Sequence, residues 1–159
     1  MPRRTRFAVA VSALVTCAAV AAVALADIVT VTDPRDTKPP GLDAFDIRKA
    51  RAMHAPEGTG LRHVVTMQEA SGATKRNTHL TVRAQGNTYR VSRGGVFDGA
   101  TKIGDATVKR AGNRIVLRFD ADTIGSPVSY RWRAFTAAPD HPFFDKAPNS
   151  GMVTHELID

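Results

Sequence analysis

Cysteine and the larger aromatic residues are scarce in this sequence. Its 159 residues include one cysteine, Cys17, together with one tryptophan and two tyrosines. A single cysteine cannot form an intramolecular disulfide, and this one falls within a predicted leader, so it offers no catalytic thiol. We therefore expect the fold to be held by packing alone, or by packing and a metal ion.

Motifs of common catalytic sites are absent as well. There is no Gly-x-Ser-x-Gly elbow, the glycines form no phosphate-binding loop, and the five histidines are not paired at the spacing of a metal site. These absences predict a protein that is not an enzyme and has no catalytic residues. A hydrolase whose serine, histidine and aspartate meet only in the folded chain is the third alternative considered below.

The first 26 residues have the layout of a secretory signal peptide. Arginines at positions 3, 4 and 6 precede an uncharged run from Phe7 to Ala26, which ends in the small residues of a cleavage site. We predict cleavage after Ala26 and a secreted protein, extracellular or in the cell envelope, whose single domain spans residues 27–159. An uncleaved membrane anchor and a lipoprotein modified at Cys17 are the alternatives.

Basic residues outnumber acidic ones, 22 to 15, and the excess persists without the three leader arginines. This balance favours contact with anionic polymers such as cell-wall polyphosphates or acidic glycans. The basic residues are scattered singly along the predicted strands, which argues against nucleic acid as a partner. We expect membrane contact only if the leader is uncleaved, and the sequence predicts no oligomeric state.

Alternation of apolar and polar residues predicts a mostly β chain. Turn residues separate about eight or nine short strands, which is typical of an antiparallel β-sandwich of the jelly-roll or immunoglobulin-like kind. Residues 47–53 also permit a helix, residues 101–109 are predicted as one weak strand interrupted at Gly104, and residues 138–150 as a loop. The clearest alternation spans residues 61–69, 78–84, 89–93 and 114–119.

Three segments together resemble a known group of domains. They are an acidic opening (31–47), a stretch leading into a tryptophan-bearing strand (124–134), and Phe-Asp-Lys-Ala-Pro-Asn-Ser-Gly (144–151) before the last strand. In this order they are similar to secreted bacterial β-sandwich domains of uncharacterised function, including DOMON-like domains and family-nine carbohydrate-binding modules. The resemblance implies a sandwich in which the opening loop and the loop before the last strand lie at one edge.

The acidic opening loop is the best candidate for a metal site. Asp33, Asp36, Asp43 and Asp46 fall within fourteen positions among prolines and a glycine. Calcium takes six to eight oxygen ligands from carboxylates and carbonyls of such loops, and the resemblance implies that Asp145 or Asn149 would complete the set. Calcium is the only cofactor for which the sequence offers ligands. The alternative is that these are ordinary solvated turn residues, neutralised by nearby lysines and arginines.

Three aromatic residues are candidates for ligand contact. Phe143 and Phe144 form the only aromatic pair in a predicted loop, and exposed rings stack on the apolar faces of sugars. The alternative is that this pair closes one end of the sandwich. Trp132 is the third candidate, although its position between Arg131 and Arg133 on a strand favours the core.

Together these observations predict a secreted, non-catalytic binding module. Its ligand would be a glycan or an anionic cell-wall polymer, and it would carry a structural calcium ion. The second alternative is a cell-envelope interaction or structural domain that meets another protein through a sheet face or edge.

Overall fold

The computed structural model describes residues 28–36, 41–54, 59–70 and 75–157. Two antiparallel β-sheets pack against each other, so the prediction of an all-β sandwich is confirmed. The predicted signal peptide, residues 1–26, lies outside the described residues. Within them, no helix has both the length and the apolar character needed to span a membrane.

The described part of the chain forms twelve strands and two short 3-10 helices, Asp43–Phe45 and Ala121–Ile124. The strands are β1 (Ile28–Thr32), β2 (Ile47–His54), β3 (Gly60–Met67), β4 (Thr78–Ala84), β5 (Asn87–Ser92), β6 (Gly95–Asp98), β7 (Thr101–Gly104), β8 (Thr107–Ala111), β9 (Arg114–Asp120), β10 (Ser129–Ala137), β11 (Phe144–Ala147) and β12 (Val153–Glu156).

The strands divide into a five-stranded and a seven-stranded sheet. The first sheet has the order β1-β2-β3-β9-β8. The second has the order β11-β10-β4-β5-β6-β7, and β12 also pairs with β10. All pairings are antiparallel, as expected for strands joined mostly by hairpins.

The core lies between the sheets because each strand turns alternate side chains inward. On β3 the inward set is the predicted one: Leu61, His63, Val65 and Met67 are all fully buried. The largest side chain from the opposite sheet is Trp132 on β10, also fully buried. Burial of each large apolar side chain contributes roughly 1.5–3 kcal/mol to stability.

Two parts of the fold differ from the prediction. The weak strand predicted over residues 101–109 is two strands, with β7 in the second sheet and β8 in the first. Gly104 is the last residue of β7, and its backbone passes close to Thr123. A larger residue would not fit at this position, because its Cβ would lie 2.3 Å from Thr123 Cγ2. The predicted loop 138–150 contains the short strand β11. Residues 47–53, for which a helix was the alternative, lie in strand β2.

Candidate functional site

Three aspartates from separate parts of the chain meet in the folded protein. Asp36 lies in the opening loop, Asp46 directly follows the first 3-10 helix, and Asp145 lies on β11. Carboxylate oxygens of the three side chains lie within 4.8 Å of one another. Asp46 and Asp145 are buried and Asp36 is half-buried. We refer to these residues as the aspartate cluster.

Asp145 is held by backbone N–H groups on both of its oxygens. Oδ2 accepts a hydrogen bond of 2.6 Å from Ile47 at the start of β2, and Oδ1 accepts one of 2.7 Å from Lys146. Burial and, to a smaller extent, the charges of Asp36 and Asp46 nevertheless raise the pKa of Asp145 to about 6. Near neutral pH the cluster therefore concentrates negative charge that a proton or a cation would relieve.

The cluster contains three of the six predicted metal ligands, and the others are placed differently. Asp43 pairs with Arg35, whose Nη2 lies 2.5 Å from Asp43 Oδ1. Asp33 is buried outside the cluster, and its backbone N–H donates to the carbonyl of Arg48. Asn149 is exposed in the turn that follows β11.

The aspartate cluster has the chemistry of a site for a hard cation. Three carboxylates can supply three to six of the oxygens that calcium takes, and carbonyls or water would supply the rest. The opening loop and the segment before the last strand do meet here, through Asp36, Asp46 and Asp145. Binding of calcium at this cluster stays a prediction.

The three predicted ligand-contact rings have different environments. Trp132 lies on the inward face of β10 and is fully buried. Its side chain therefore belongs to the core and cannot contact a ligand from solvent, which corrects the prediction. Phe143 is half-buried and packs against a small cluster that includes Phe45 and Ala138. Phe144 alone is open to solvent, with 58% of its surface exposed.

A cationic surface that the sequence did not reveal covers the outer face of the five-stranded sheet. Its basic side chains come from four neighbouring strands, and all but one are exposed. The cross-strand register places them on one side of the sheet. They are Lys49, Arg51, Arg62, Lys109, Arg114 and Arg118, and we call this surface the cationic face.

Two shallow depressions lie on the cationic face. One, of about 500 Å³, is lined in part by Lys49, Arg51 and Arg62. The other, of about 230 Å³, is lined in part by Arg62, Lys109 and Arg118. None of the described residues that line these two depressions is acidic. A third depression, of about 460 Å³, lies at the strand ends beside Arg62 and Arg118, and its lining includes Asp105 and Asp120.

Like charges lie directly opposite each other on this face. Arg62 on β3 is the register partner of Arg118 on β9. Such a pair destabilises a sheet, because directly opposite side chains have their Cβ atoms only about 4.5–5.5 Å apart. The ion pairs recorded within the described part of the chain, Arg35 with Asp43 and Lys102 with Asp105, do not neutralise it.

Sequence reasoning missed this surface because it treated the basic residues as scattered. Each strand contributes only one or two of them, and only the order of the strands shows that they are neighbours. The signal that was present is the alternation of Arg62 with buried residues on β3, and of Arg114 and Arg118 with buried residues on β9. Outward arginines on two strands that become neighbours would have indicated a shared surface.

The interior also holds a polar cluster. Tyr130 Oη lies 3.1 Å from His63 Nε2 and 2.8 Å from His155 Nδ1, and all three side chains are buried. The hydroxyl can donate to one imidazole and accept from the other, which joins β3 of the first sheet to β10 and β12 of the second. Burial and, to a smaller extent, the charge of His155 lower the pKa of His63 to about 3.

Comparison with known proteins adds no assignment to this geometry. No protein-family model matches the chain, and no curated protein matches it either. The resemblance to DOMON-like domains and family-nine carbohydrate-binding modules therefore stays a prediction.

Proposed function

We propose that this protein is a secreted, non-catalytic binding module that holds an anionic polymer, an acidic glycan or a cell-wall polyphosphate, on its cationic face. The observation that supports this most is the convergence of six lysine and arginine side chains on one sheet face, with Arg62 opposite Arg118. Like charges at opposite cross-strand positions destabilise a sheet, so their presence here is better explained by a role in binding than by a role in folding.

The chemistry of the face fits an extended polyanion. Each guanidinium presents planar donors that match a carboxylate or phosphate in two-pronged hydrogen bonds. Shallow depressions on a flat sheet suit a chain that lies across several strands better than a small molecule, which needs an enclosed pocket. An anion between Arg62 and Arg118 would also relieve their mutual repulsion.

Charge reversal on the cationic face tests the proposal. The variant Arg62→Glu/Arg118→Glu is titrated with polygalacturonate and with long-chain polyphosphate, and the two probes distinguish a sugar acid from a phosphate polymer. We expect the affinity of the cationic face for the preferred probe to fall at least about tenfold, because each lost charge-assisted contact is worth roughly 1.5–3 kcal/mol. Calorimetry at physiological salt gives the dissociation constants.

The matched control is Arg76→Glu/Arg93→Glu, which changes the net charge equally. Arg76 and Arg93 are exposed in turns rather than on a sheet face. We expect this control to bind within about twofold of the wild type, because separated surface charges are largely screened at this ionic strength. Equal losses in both variants would show that net charge, and not the face, determines binding.

The two alternatives have less support. Large apolar residues that are exposed in the described part of the chain, Ile28, Ile103, Val128 and Phe144, lie on separate elements, whereas a protein partner favours one contiguous apolar patch. His63 and His155 are not available as the histidine of a hydrolase, because both are buried against Tyr130.

A further inference from the structure

The outer face of the second sheet also carries cations, and here they alternate with rings. The cations are Arg83, Arg90, Arg131, Arg133 and Lys146. The rings are His79, Phe97, Phe135 and Phe144. The acidic residue Glu156 lies at one end, opposite Ser129. We call this surface the ring-and-cation face.

This face repeats the unfavourable feature of the cationic face. Arg83 on β4 is the register partner of Arg131 on β10, so a second pair of like charges lies directly opposite across two strands. In the next row, Arg133 and Arg90 both have Thr81 as their cross-strand partner. Two independent pairs of opposed arginines, one on each sheet, make a shared role in binding anions a better explanation than coincidence.

Rings hold two of these arginines in place. The guanidinium carbon of Arg90 lies 5.2 Å from the centre of the Phe97 ring, and that of Arg133 lies 4.8 Å from the centre of the Phe135 ring. Phe135 also stacks on His79 in nearly parallel planes, 5.0 Å apart at their centres. A guanidinium resting on a ring keeps its N–H donors available for an anion.

We infer that the ring-and-cation face is a second binding site and that its occupant is an acidic polysaccharide. The arginines match the carboxylates of such a chain, and the ring of Phe144, with 58% of its surface exposed, matches the apolar face of a sugar. This inference rests on the proposed function, which it extends from one site to two.

Two sites on opposite faces have a consequence for assembly. Packed sheets lie about 10 Å apart, and their outer faces point in opposite directions. A stretch of polymer bound on one face therefore cannot reach the other without turning around an edge of the sandwich. One protein molecule would then hold two polymer strands and cross-link them.

Stoichiometry with a short oligogalacturonate tests the second site. We expect the wild type to bind two oligosaccharides, and Arg62→Glu/Arg118→Glu and Arg83→Glu/Arg131→Glu to bind one each. Combining the four changes should abolish binding, while Arg76→Glu/Arg93→Glu should still bind two. With long polygalacturonate, the wild type should cross-link the polymer and scatter light, and each single-face variant should not.

The outcomes separate the two claims. If Arg83→Glu/Arg131→Glu still binds two oligosaccharides and still cross-links the polymer, the second site is refuted while the first stands. If Arg62→Glu/Arg118→Glu binds like the wild type, the proposed function fails whatever the second face does. Circular dichroism checks that each variant is folded, and the milder Arg83→Gln/Arg131→Gln replaces any that is not.

A ring variant tests the nature of the occupant. Phe144→Ala, made in the Arg62→Glu/Arg118→Glu background, leaves only the ring-and-cation face to report, and the ring it removes is exposed. We expect it to weaken oligogalacturonate binding at least about threefold and polyphosphate binding less than about twofold, because only the sugar can stack on a ring. Equal losses, or tighter binding of a single-stranded oligonucleotide than of oligogalacturonate, would refute the assignment to a polysaccharide.

Discussion

The carboxylates of the aspartate cluster make the stability of the fold depend on pH and on bound cations. Burial and, to a smaller extent, the charges of Asp36 and Asp46 raise the pKa of Asp145 to about 6. A carboxyl whose pKa is raised on folding contributes stability below its unfolded pKa, and that contribution is lost as the pH rises through about 6. Near neutral pH a bound cation would remove this penalty by neutralising the cluster.

Calcium addition tests the cluster directly. We expect calcium to raise the melting temperature of the wild type and a chelator to lower it. At a calcium concentration of 100 times the dissociation constant, the free energy of unfolding should rise by about 2.7 kcal/mol. Asp36→Asn should gain much less from calcium, because it removes one negative charge from the site while keeping one ligand oxygen. In chelator at neutral pH it should be at least as stable as the wild type, because it also removes repulsion. Differential scanning calorimetry measures both effects.

Asp98→Asn is the matched control for this experiment. Asp98 is exposed at the end of β6 and is not a member of the cluster. This variant should follow the wild type in calcium and in chelator. A wild-type melting temperature that is the same in both buffers would contradict the calcium hypothesis.

At this scale the sequence indicated the residue types better than the partners. Aspartates among prolines and glycines identified the acidic loop, and the resemblance supplied Asp145. The sequence could not show that Asp43 pairs with Arg35, because that pairing depends on the path of the loop. For Trp132, in contrast, the sequence alone was sufficient: its place between two arginines on a strand favoured the buried position that it has.

At the scale of elements, the contact of His63, Tyr130 and His155 joins the two sheets. The hydroxyl of Tyr130 on β10 reaches His63 on β3 and His155 on β12. His63 also stacks on Phe119 and meets the edge of Trp132, with ring centres 5.7 Å and 5.1 Å away. A charge on His63 would therefore be placed in the apolar interior, which explains why its pKa is lowered.

This contact predicts a defined pH dependence. The pKa of His63 falls from 6.5 to about 3 on folding, so its contribution to stability is fully present above pH 6.5 and is lost as the pH falls towards 3. His63→Gln should be less stable than the wild type at neutral pH. At a pH two units below the unfolded pKa, the difference in unfolding free energy between the wild type and His63→Gln should be smaller by roughly 3 kcal/mol than at neutral pH. Urea unfolding at a series of pH values measures it.

His141→Gln is the control, because His141 is exposed and the change leaves the interior intact. Its stability should run parallel to that of the wild type across the series. A deficit of His63→Gln that stays constant with pH would show that His63 does not titrate in the way its burial requires.

Element prediction succeeded where alternation was regular and failed where strands were short or changed sheets. β4 and β9 alternate between buried and more exposed residues over their full length of seven residues. β11 has only four residues within a proline-containing segment, so its pairing with β10 decides its conformation. The break between β7 and β8 depends on which sheet each one joins, which local sequence does not specify.

At the scale of the whole molecule, opposite charges occupy different regions. Both outer sheet faces are basic, whereas acidic residues lie mainly in loops and short helices. The acidic residues of the described strands are Asp98, Asp120 and Glu156 at strand ends, and the buried Asp145. This separation gives a molecule of modest net charge two strongly cationic surfaces, which favours polyanions over other partners.

The overall architecture followed from the sequence, but the charge distribution did not. Alternation and turn spacing predict a sandwich without knowledge of strand order. A charged surface requires the order and the register, because Arg62 and Arg118 are 56 positions apart and become neighbours only through the pairing of β3 with β9. For this reason the sequence predicted an anionic partner but not the surface that would bind it.

The most direct test of this account is a nuclear magnetic resonance titration of the isotope-labelled protein with oligogalacturonate. We predict the largest amide shifts along β2, β3 and β9, which carry most of the cationic face, and along β4, β5 and β10 of the ring-and-cation face. Shifts confined to loops outside the two sheet faces, or spread evenly over the molecule, would contradict it.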